Sequence, residues 1–459
     1  MRNHPIVYLF ILFLTLILYV ILGLAGDIRS EIEKYWLLII PIYLSYALVI
    51  IKILRDDLPE DRSFIWFILF GLCFRIVLLP SDPFLSDDIY RYLWDGKILA
   101  GGINPYQYAP VDIHLQQFRD QIIFPFINFP DIATSYPPVS QLIFFINYWF
   151  GGSVLSWKIL LMFFELSLFL MMYKLVKHFG LNKYRLLIYF YNPLLIIETY
   201  SSGHLEITGI SLFWIGVYLF YKHHDFKSII FFAMSILTKF ITLMSSLPFL
   251  TERFFRKSTF LVLLCILIFS PFLLGGIIPV PGIFSYISLW EFNGGIYQTV
   301  ISMLKLFGVK EYHWVNPVFP SYLATLYVSY AFYYKVCAVI ILLAVIIYQL
   351  KRLRILSDFR TANFIQKSFF LTAVLLILTP TLHPWYLLWI IPFLVIIPNW
   401  SWLFFTFLIQ ASYFVLKDYA LTSDWKESVW ILLFQYIPFY ALLIWEYFDG
   451  RKIKGWFLV

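Results

Sequence analysis

The chain has 459 residues, of which 61% are hydrophobic, 21% aromatic and only 13% charged. Apolar runs of spanning length recur from end to end, which excludes a soluble globular core and the alternation of a β-barrel and leaves an integral, all-α membrane protein. The net charge of +7 does not imply a nucleic-acid partner, because the cations gather in short connections between apolar runs.

The first run, Ile6–Leu24, is longer than a signal-peptide core and lacks a small-residue cleavage site, so it reads as an uncleaved first helix. Spans are expected near residues 6–25, 36–54, 63–80, 155–175, 184–198, 205–221, 259–278, 333–350, 367–382, 384–397, 400–416 and 428–446, about twelve in one membrane domain covering 1–459. Lys52, Arg55 and Arg62 fall in one connection; Lys174, Lys177, Lys183 and Arg185 in another; then Lys222 and Lys227; Arg253, Arg256 and Lys257; Lys351, Arg352, Arg354, Arg360 and Lys367; and Arg451, Lys452 and Lys454. Positive-inside bias puts these connections and both termini in the cytoplasm. The long segment 81–138 then lies outside, with acids at Asp82, Asp87, Asp88, Asp95, Asp112, Asp120 and Asp131.

Within that loop, Leu85–Leu99 and Pro138–Phe150 have helical patterns too short or too polar to span, and Gly101-Gly102 and Asn104-Pro105 break the first. Ser86-Asp87-Asp88 follows a span directly. It reads either as a capped helix start or as a carboxylate pair whose partial desolvation suits a general base. Arg91, one turn beyond Asp87, is placed to orient it, and Asp95 continues the same face. Trp94, Tyr106 and Tyr108 are either interfacial aromatics or a stacking surface for a sugar ring.

Ionisable groups inside apolar runs are expensive unless paired or facing water, and Arg75, Glu165, Glu198 and Lys239 are such groups. The stretch 229–250 has cationic connections on both sides and Lys239 at its centre, so a re-entrant hairpin turning near Lys239 is expected, with a cavity beside it. Lys239 there meets either a phosphate or a structural partner, Glu165 or Glu198. His204 and Glu206 sit at the outer end of one span, as a cap or as site residues, and His383 breaks two short helices at the outer face, where it can bond a phosphate or a sugar hydroxyl. A second external segment, 278–320, carries Trp290, Glu291, Asn293, His313 and Trp314 and is expected to pack on the first loop. Neither the histidines nor Cys73, Cys265 and Cys337 have metal-ligand spacing, and no metal site or disulfide framework is expected.

Taken in order, Ser86-Asp87-Asp88-Ile89-Tyr90-Arg91-Tyr92-Leu93-Trp94-Asp95-Gly96, Gly102-Ile103-Asn104-Pro105-Tyr106, Tyr136-Pro137-Pro138, Asn192-Pro193, Gly203-His204, Lys239 and Pro384-Trp385-Tyr386 resemble the GT-C glycosyltransferases, most closely bacterial polyprenol-phosphate-mannose-dependent mannosyltransferases. The resemblance spans roughly residues 60–400. It implies an inverting transferase in the bacterial cytoplasmic membrane that moves a hexose, mannose by family, from a polyprenyl-phosphate donor to a glycan, lipid or protein acceptor at the extracytoplasmic face. On that likeness Asp87 is the base and Asp88 its companion. Arg91, Trp94, Asp95, Asn104, Tyr106, Tyr136, His204, Glu206 and His383 become substrate-binding candidates, and Lys239 and Arg75 candidates for the lipid phosphate. A nucleotide fold and a Gly-rich phosphate loop are absent from the sequence, so no cofactor is expected. Two positions depart from the pattern: some relatives carry Asp-Glu or Asp-x-Asp for the acidic pair, and Gly203-His204-Leu205-Glu206 lacks an Asn beside the histidine. Broken helices and buried charges also fit a transporter or flippase of a glycolipid, and a non-catalytic assembly subunit is a third reading.

Overall fold

A computed structural model describes residues 5–55, 64–251, 254–273, 280–283, 286, 290–315, 325–351 and 360–449. Arg62, Arg253, Arg352, Arg354, Arg451, Lys452, Lys454 and parts of the 278–320 segment lie outside these residues. Among the described residues six helices are long and apolar enough to cross a membrane: Arg29–Leu54, Val154–His178, Phe255–Phe272, Tyr330–Gln349, Thr361–Leu378 and Val429–Phe448. Val7–Gly23, Phe64–Ile76 and Glu206–Tyr221 are shorter apolar helices. Exposed rows such as Leu37, Leu44 and Leu48, or Val339, Ile340, Leu343 and Ile347, suit contact with lipid.

Three of the expected spans are not continuous helices. Residues 184–198 form a 3₁₀ turn, Lys183–Leu186, and two helices, Leu187–Phe190 and Pro193–Tyr200. Pro193 has no N–H to continue the first helix, and the Asn192 side chain accepts the Leu195 N–H at 3.3 Å to start a new one. Residues 384–397 similarly become a 3₁₀ helix, Pro384–Trp389, and a short helix, Phe393–Ile396. Residues 400–416 change from Trp400–Leu408 through a 3₁₀ stretch, Ile409–Phe414, into Val415–Thr422. Leu194, Leu195, Leu387, Phe393 and Ile409 in these pieces are buried, so the irregular backbone is enclosed in protein. A small antiparallel strand pair, Tyr312–Val315 with Thr325–Val328, is the one described departure from an all-helical chain.

The first loop is ordered by its own contacts. Its helices are Asp88–Ala100 and Pro138–Trp149, close to the expected limits, and the first ends before Gly101 and Gly102, where φ is +78° at Gly102. They pack so closely that a Cβ on Gly96 would lie 2.3 Å from the Phe144 carbonyl oxygen. Between them, Lys97 pairs with Asp120 at 2.6 Å and the Tyr106 O–H donates to the Tyr136 carbonyl at 2.7 Å. The described part of 278–320 touches this loop: Trp290 packs edge-on against Phe129 at 4.5 Å, and the Phe272 carbonyl just before that segment accepts from Asn104 at 2.8 Å.

Lys239 sits in a turn between two helices. Helix Asp225–Ile236 ends, residues 237–241 turn, and the short helix Thr242–Ser246 follows. The turn abuts the second loop helix, because the Val139 N–H donates to the Leu237 carbonyl at 3.0 Å and the Ser140 hydroxyl to the Thr238 carbonyl at 2.6 Å.

Arg75 and Glu165 illustrate how buried charge is carried elsewhere. The guanidinium donates from Nε to Glu165 Oε2 at 2.8 Å and from Nη1 to the Gly71 carbonyl at 2.7 Å, and it lies 3.9 Å from the Phe190 ring centroid. Both side chains are almost wholly buried. Removing one partner strands the other charge, so Arg75→Met should lower stability by about 3–5 kcal/mol, read as an unfolding-midpoint shift in detergent; an unchanged midpoint would contradict the pairing.

Candidate active site

The acidic pair divides between two environments. Arg29, at the start of the Arg29–Leu54 helix, donates from Nη1 to Asp87 Oδ2 at 2.8 Å and from Nη2 to Asp87 Oδ1 at 2.7 Å. This planar two-point grip occupies both Asp87 oxygens. Asp88, the first residue of its helix, instead accepts from Asn128 Nδ2 at 2.7 Å and points its other oxygen toward His204 Nδ1 at 3.7 Å. Its side chain keeps 21% of its surface accessible. Burial raises the Asp88 carboxyl above its ordinary value, and the Asn128 bond and the charge of Lys239 only partly offset that. Ser86 does act at the helix start, accepting the Asp88 N–H at 3.3 Å.

Arg91 does not reach Asp87. It donates from Nε to Asp95 Oδ1 at 2.9 Å and from Nη1 to the Ile132 carbonyl at 3.0 Å, because residues four apart on a helix face each other while Asp87 is held by Arg29. Asp95 also accepts from Thr134 at 2.5 Å and Gln141 at 3.1 Å. Trp94 is buried among Ile98, Leu115 and Ile127, and Asn104 and Tyr106 spend their polar atoms on Phe272 and Tyr136. Arg91, Trp94, Asp95, Asn104 and Tyr106 therefore build the loop that carries Asp88, and Arg75 is committed to Glu165 away from it.

The other candidates do converge. Lys239 pairs with Glu206 Oε1 and lies 4.8 Å from the Tyr386 ring centroid, which corrects the expectation of Glu165 or Glu198 as its structural partner. Its side chain is 21% accessible, whereas that of Glu206 is enclosed. Tyr386 shares a hydroxyl–hydroxyl bond with Tyr286. Tyr136 packs edge-on against Tyr92 at 5.1 Å; burial, then the charge of Asp88, push its phenol well above the ordinary value and keep it an O–H donor.

His204 is placed by a strained turn. Gly203 has φ +72°, and a Cβ there would lie 2.6 Å from Ile89 Cδ1, so both conformation and space call for glycine. Trp157 Nε1 pins the turn by donating to the Gly203 carbonyl at 2.7 Å. The imidazole stacks on Trp385 at 3.9 Å, and His383 stacks near the same indole at 4.3 Å. Burial, then Lys239, lower both histidines, His204 well below its usual range and His383 to about 3, so both are neutral at pH 7. No group of three His, Cys, Asp or Glu side chains among the described residues is arranged to hold a metal ion.

Residues 35–254 match the alpha-(1->6)-mannopyranosyltransferase N-terminal domain family. The matched region contains the acidic pair, the loop helices, His204, Glu206 and Lys239, and it bears out the mannosyltransferase resemblance. With the six spanning-length helices it supports a membrane glycosyltransferase. No curated protein matches the chain.

Sequence reasoning misses Arg29, Asn128, Tyr286 and Tyr413. Arg29 is visible as a lone cation just beyond the first apolar run; Asn128, in an irregular turn, carries no such signal. Since both Arg29 and Asp87 remain partly accessible, at 23% and 32%, Arg29→Gln should move the unfolding midpoint by less than about 1 kcal/mol equivalent. A loss as large as that predicted for Arg75 would contradict a solvent-screened pair.

Proposed function

We propose that the protein is an inverting mannosyltransferase using a polyprenyl-phosphate sugar donor at the extracytoplasmic face of a bacterial membrane, with Asp88 as the base. The observation that carries this reading is that the Lys239 charge, from a distant segment, acts on the Asp88 carboxyl, while each of the two side chains keeps 21% of its surface accessible. A lipid-borne sugar phosphate asks little else of the protein. The acceptor oxygen bonds to the anomeric carbon as its proton passes to Asp88, and the bond from that carbon to the phosphate oxygen breaks with its electron pair staying on the phosphate. Attack opposite the departing phosphate inverts the anomeric centre.

Lys239 suits the leaving phosphate because an ammonium has three N–H donors and Glu206 uses one carboxylate oxygen on it, leaving hydrogens for phosphate oxygens. The re-entrant character of 229–250 brings that cation to the outer site from a stretch flanked by cytoplasmic cations. Asp87 fits a supporting role, since its grip on Arg29 ties the loop helix to the Arg29–Leu54 helix. The resemblance favours Asp87 as base, and the geometry favours Asp88, whose oxygen is not committed to a guanidinium.

Membranes supplied with radiolabelled polyprenyl-phosphate mannose and membrane acceptors test this. Asp88→Asn should cut transfer by about 10²–10⁴-fold, whereas stably folded Asp87→Asn should retain far more; the reverse order would return the base to Asp87. Substrate-dependent flux in proteoliposomes without transfer would replace the enzyme reading with transport. Because burial raises Asp88, its base form is lost on acidification while the pH is still above the ordinary aspartate value of about 4, so the acid limb of the rate should lie above that pH. An acid limb at or below it would contradict the assignment.

A further inference from the structure

The interior behind Asp88 holds polar atoms that the transfer reaction itself does not use. His204 is wholly buried, and neither ring nitrogen has a hydrogen bond. Nδ1 lies 3.7 Å from Asp88 Oδ2 and Nε2 lies 3.4 Å from Glu198 Oε2. Glu198 is equally buried; its Oε2 has no hydrogen bond, while its Oε1 accepts from the Tyr413 hydroxyl at 2.5 Å. The Trp385 face fixes the plane of the imidazole, and the His204 N–H donates to the Glu198 carbonyl at 2.9 Å, holding the two residues in register. Two orphaned nitrogens, each aimed at a carboxyl group a few tenths of an ångström beyond bonding distance, are unusual in a protein interior.

Resting on the assignment of Asp88 as base, we infer that His204 is its positioning residue, with Nδ1–H directed at the Asp88 carboxylate and Nε2 accepting a hydrogen from the Glu198 carboxyl group, whose far oxygen is held by Tyr413. A neutral imidazole has one donor and one acceptor nitrogen, so the two contacts must differ in sense. The opposite tautomer would turn a lone pair toward the Asp88 carboxylate and leave it without a donor on that side. The chosen one gives Asp88 a donor from His204 opposite that from Asn128, fixing the rotation of the carboxylate about its own axis. Glu198 then supplies the hydrogen at the other end. Its nearest basic neighbour is the imidazole, Lys239 being paired with Glu206, and a neutral carboxyl group is the form that a buried site without a cation tolerates. No proton moves through His204 in this arrangement; it orients the group that takes the acceptor's proton.

Two readouts test the inference, and one does not need the transferase reaction. In nanodiscs, ¹⁵N NMR of histidine-labelled protein, with the His204 signals identified by their loss in His204→Phe, should show an Nδ1-protonated neutral ring at pH 7; an Nε2-protonated ring or an imidazolium would overturn the proposal. In the transfer assay, His204→Phe should lower kcat about a hundredfold with little change in KM, and His204→Asn, which keeps an N–H near the Nδ1 position, should recover part of it. Glu198→Gln preserves a neutral donor and should stay within a few fold of the wild type, while Glu198→Leu should fall with His204→Phe. A folded His204→Phe that raises only KM, or a Glu198→Gln as impaired as Glu198→Leu, would contradict the role. If the wild type transfers no mannose, the functional reading fails while the tautomer still decides the geometry.

Discussion

The buried carboxylate of Asp95 is the fixed point of the loop that carries the acidic pair. Arg91 on its own helix, Thr134 on the returning chain and Gln141 on the second loop helix all donate to it. A carboxylate can be enclosed in this way only when its lone pairs are filled, and filling them here requires three separate segments to be in place at once. Gly96, next to it, allows the helices to approach to backbone contact. The direction in which Asp87 and Asp88 leave the helix start follows from that packing, and so do their different partners.

Charge in this chain falls into two groups with different physical meaning. Arg75 with Glu165, and Arg91 with Asp95, are enclosed pairs whose hydrogen-bonding capacity is spent on protein. Asp88 and Lys239 are only partly enclosed, and each retains bonding capacity beyond its protein partners. Buried pairs of the first kind contribute little beyond offsetting their own desolvation, though losing one member is costly. Groups of the second kind keep hydrogen-bonding capacity that protein does not use, which suits them to meet a phosphate and a hydroxyl.

The helical class and the two loop helices are legible in the sequence, because each rests on local signals: apolar length and Gly and Pro punctuation. The breaks in 184–198, 384–397 and 400–416 are not, although Asn192-Pro193, Pro384 and Pro392 are visible; hydropathy alone cannot tell a lipid-facing helix from short pieces enclosed by protein. In the site, residue types are easier to read than partners. Helical spacing assigns Arg91 to Asp87, yet the same spacing also offers Asp95, and only the arrival of Arg29 from a remote segment decides between them. Lys239 meeting Glu206 is likewise a tertiary fact, since one sits in a turn and the other at the start of a helix, and no single sequence reveals how the two approach.

A structure of the protein with a non-hydrolysable polyprenyl-phosphate mannose analogue bound would test the central claim most directly. The account predicts phosphate oxygens within hydrogen-bonding distance of Lys239 Nζ and the anomeric carbon on the side of Asp88, with Asp87 still held by Arg29. A phosphate bound away from Lys239, or an anomeric carbon facing a released Asp87, would contradict it.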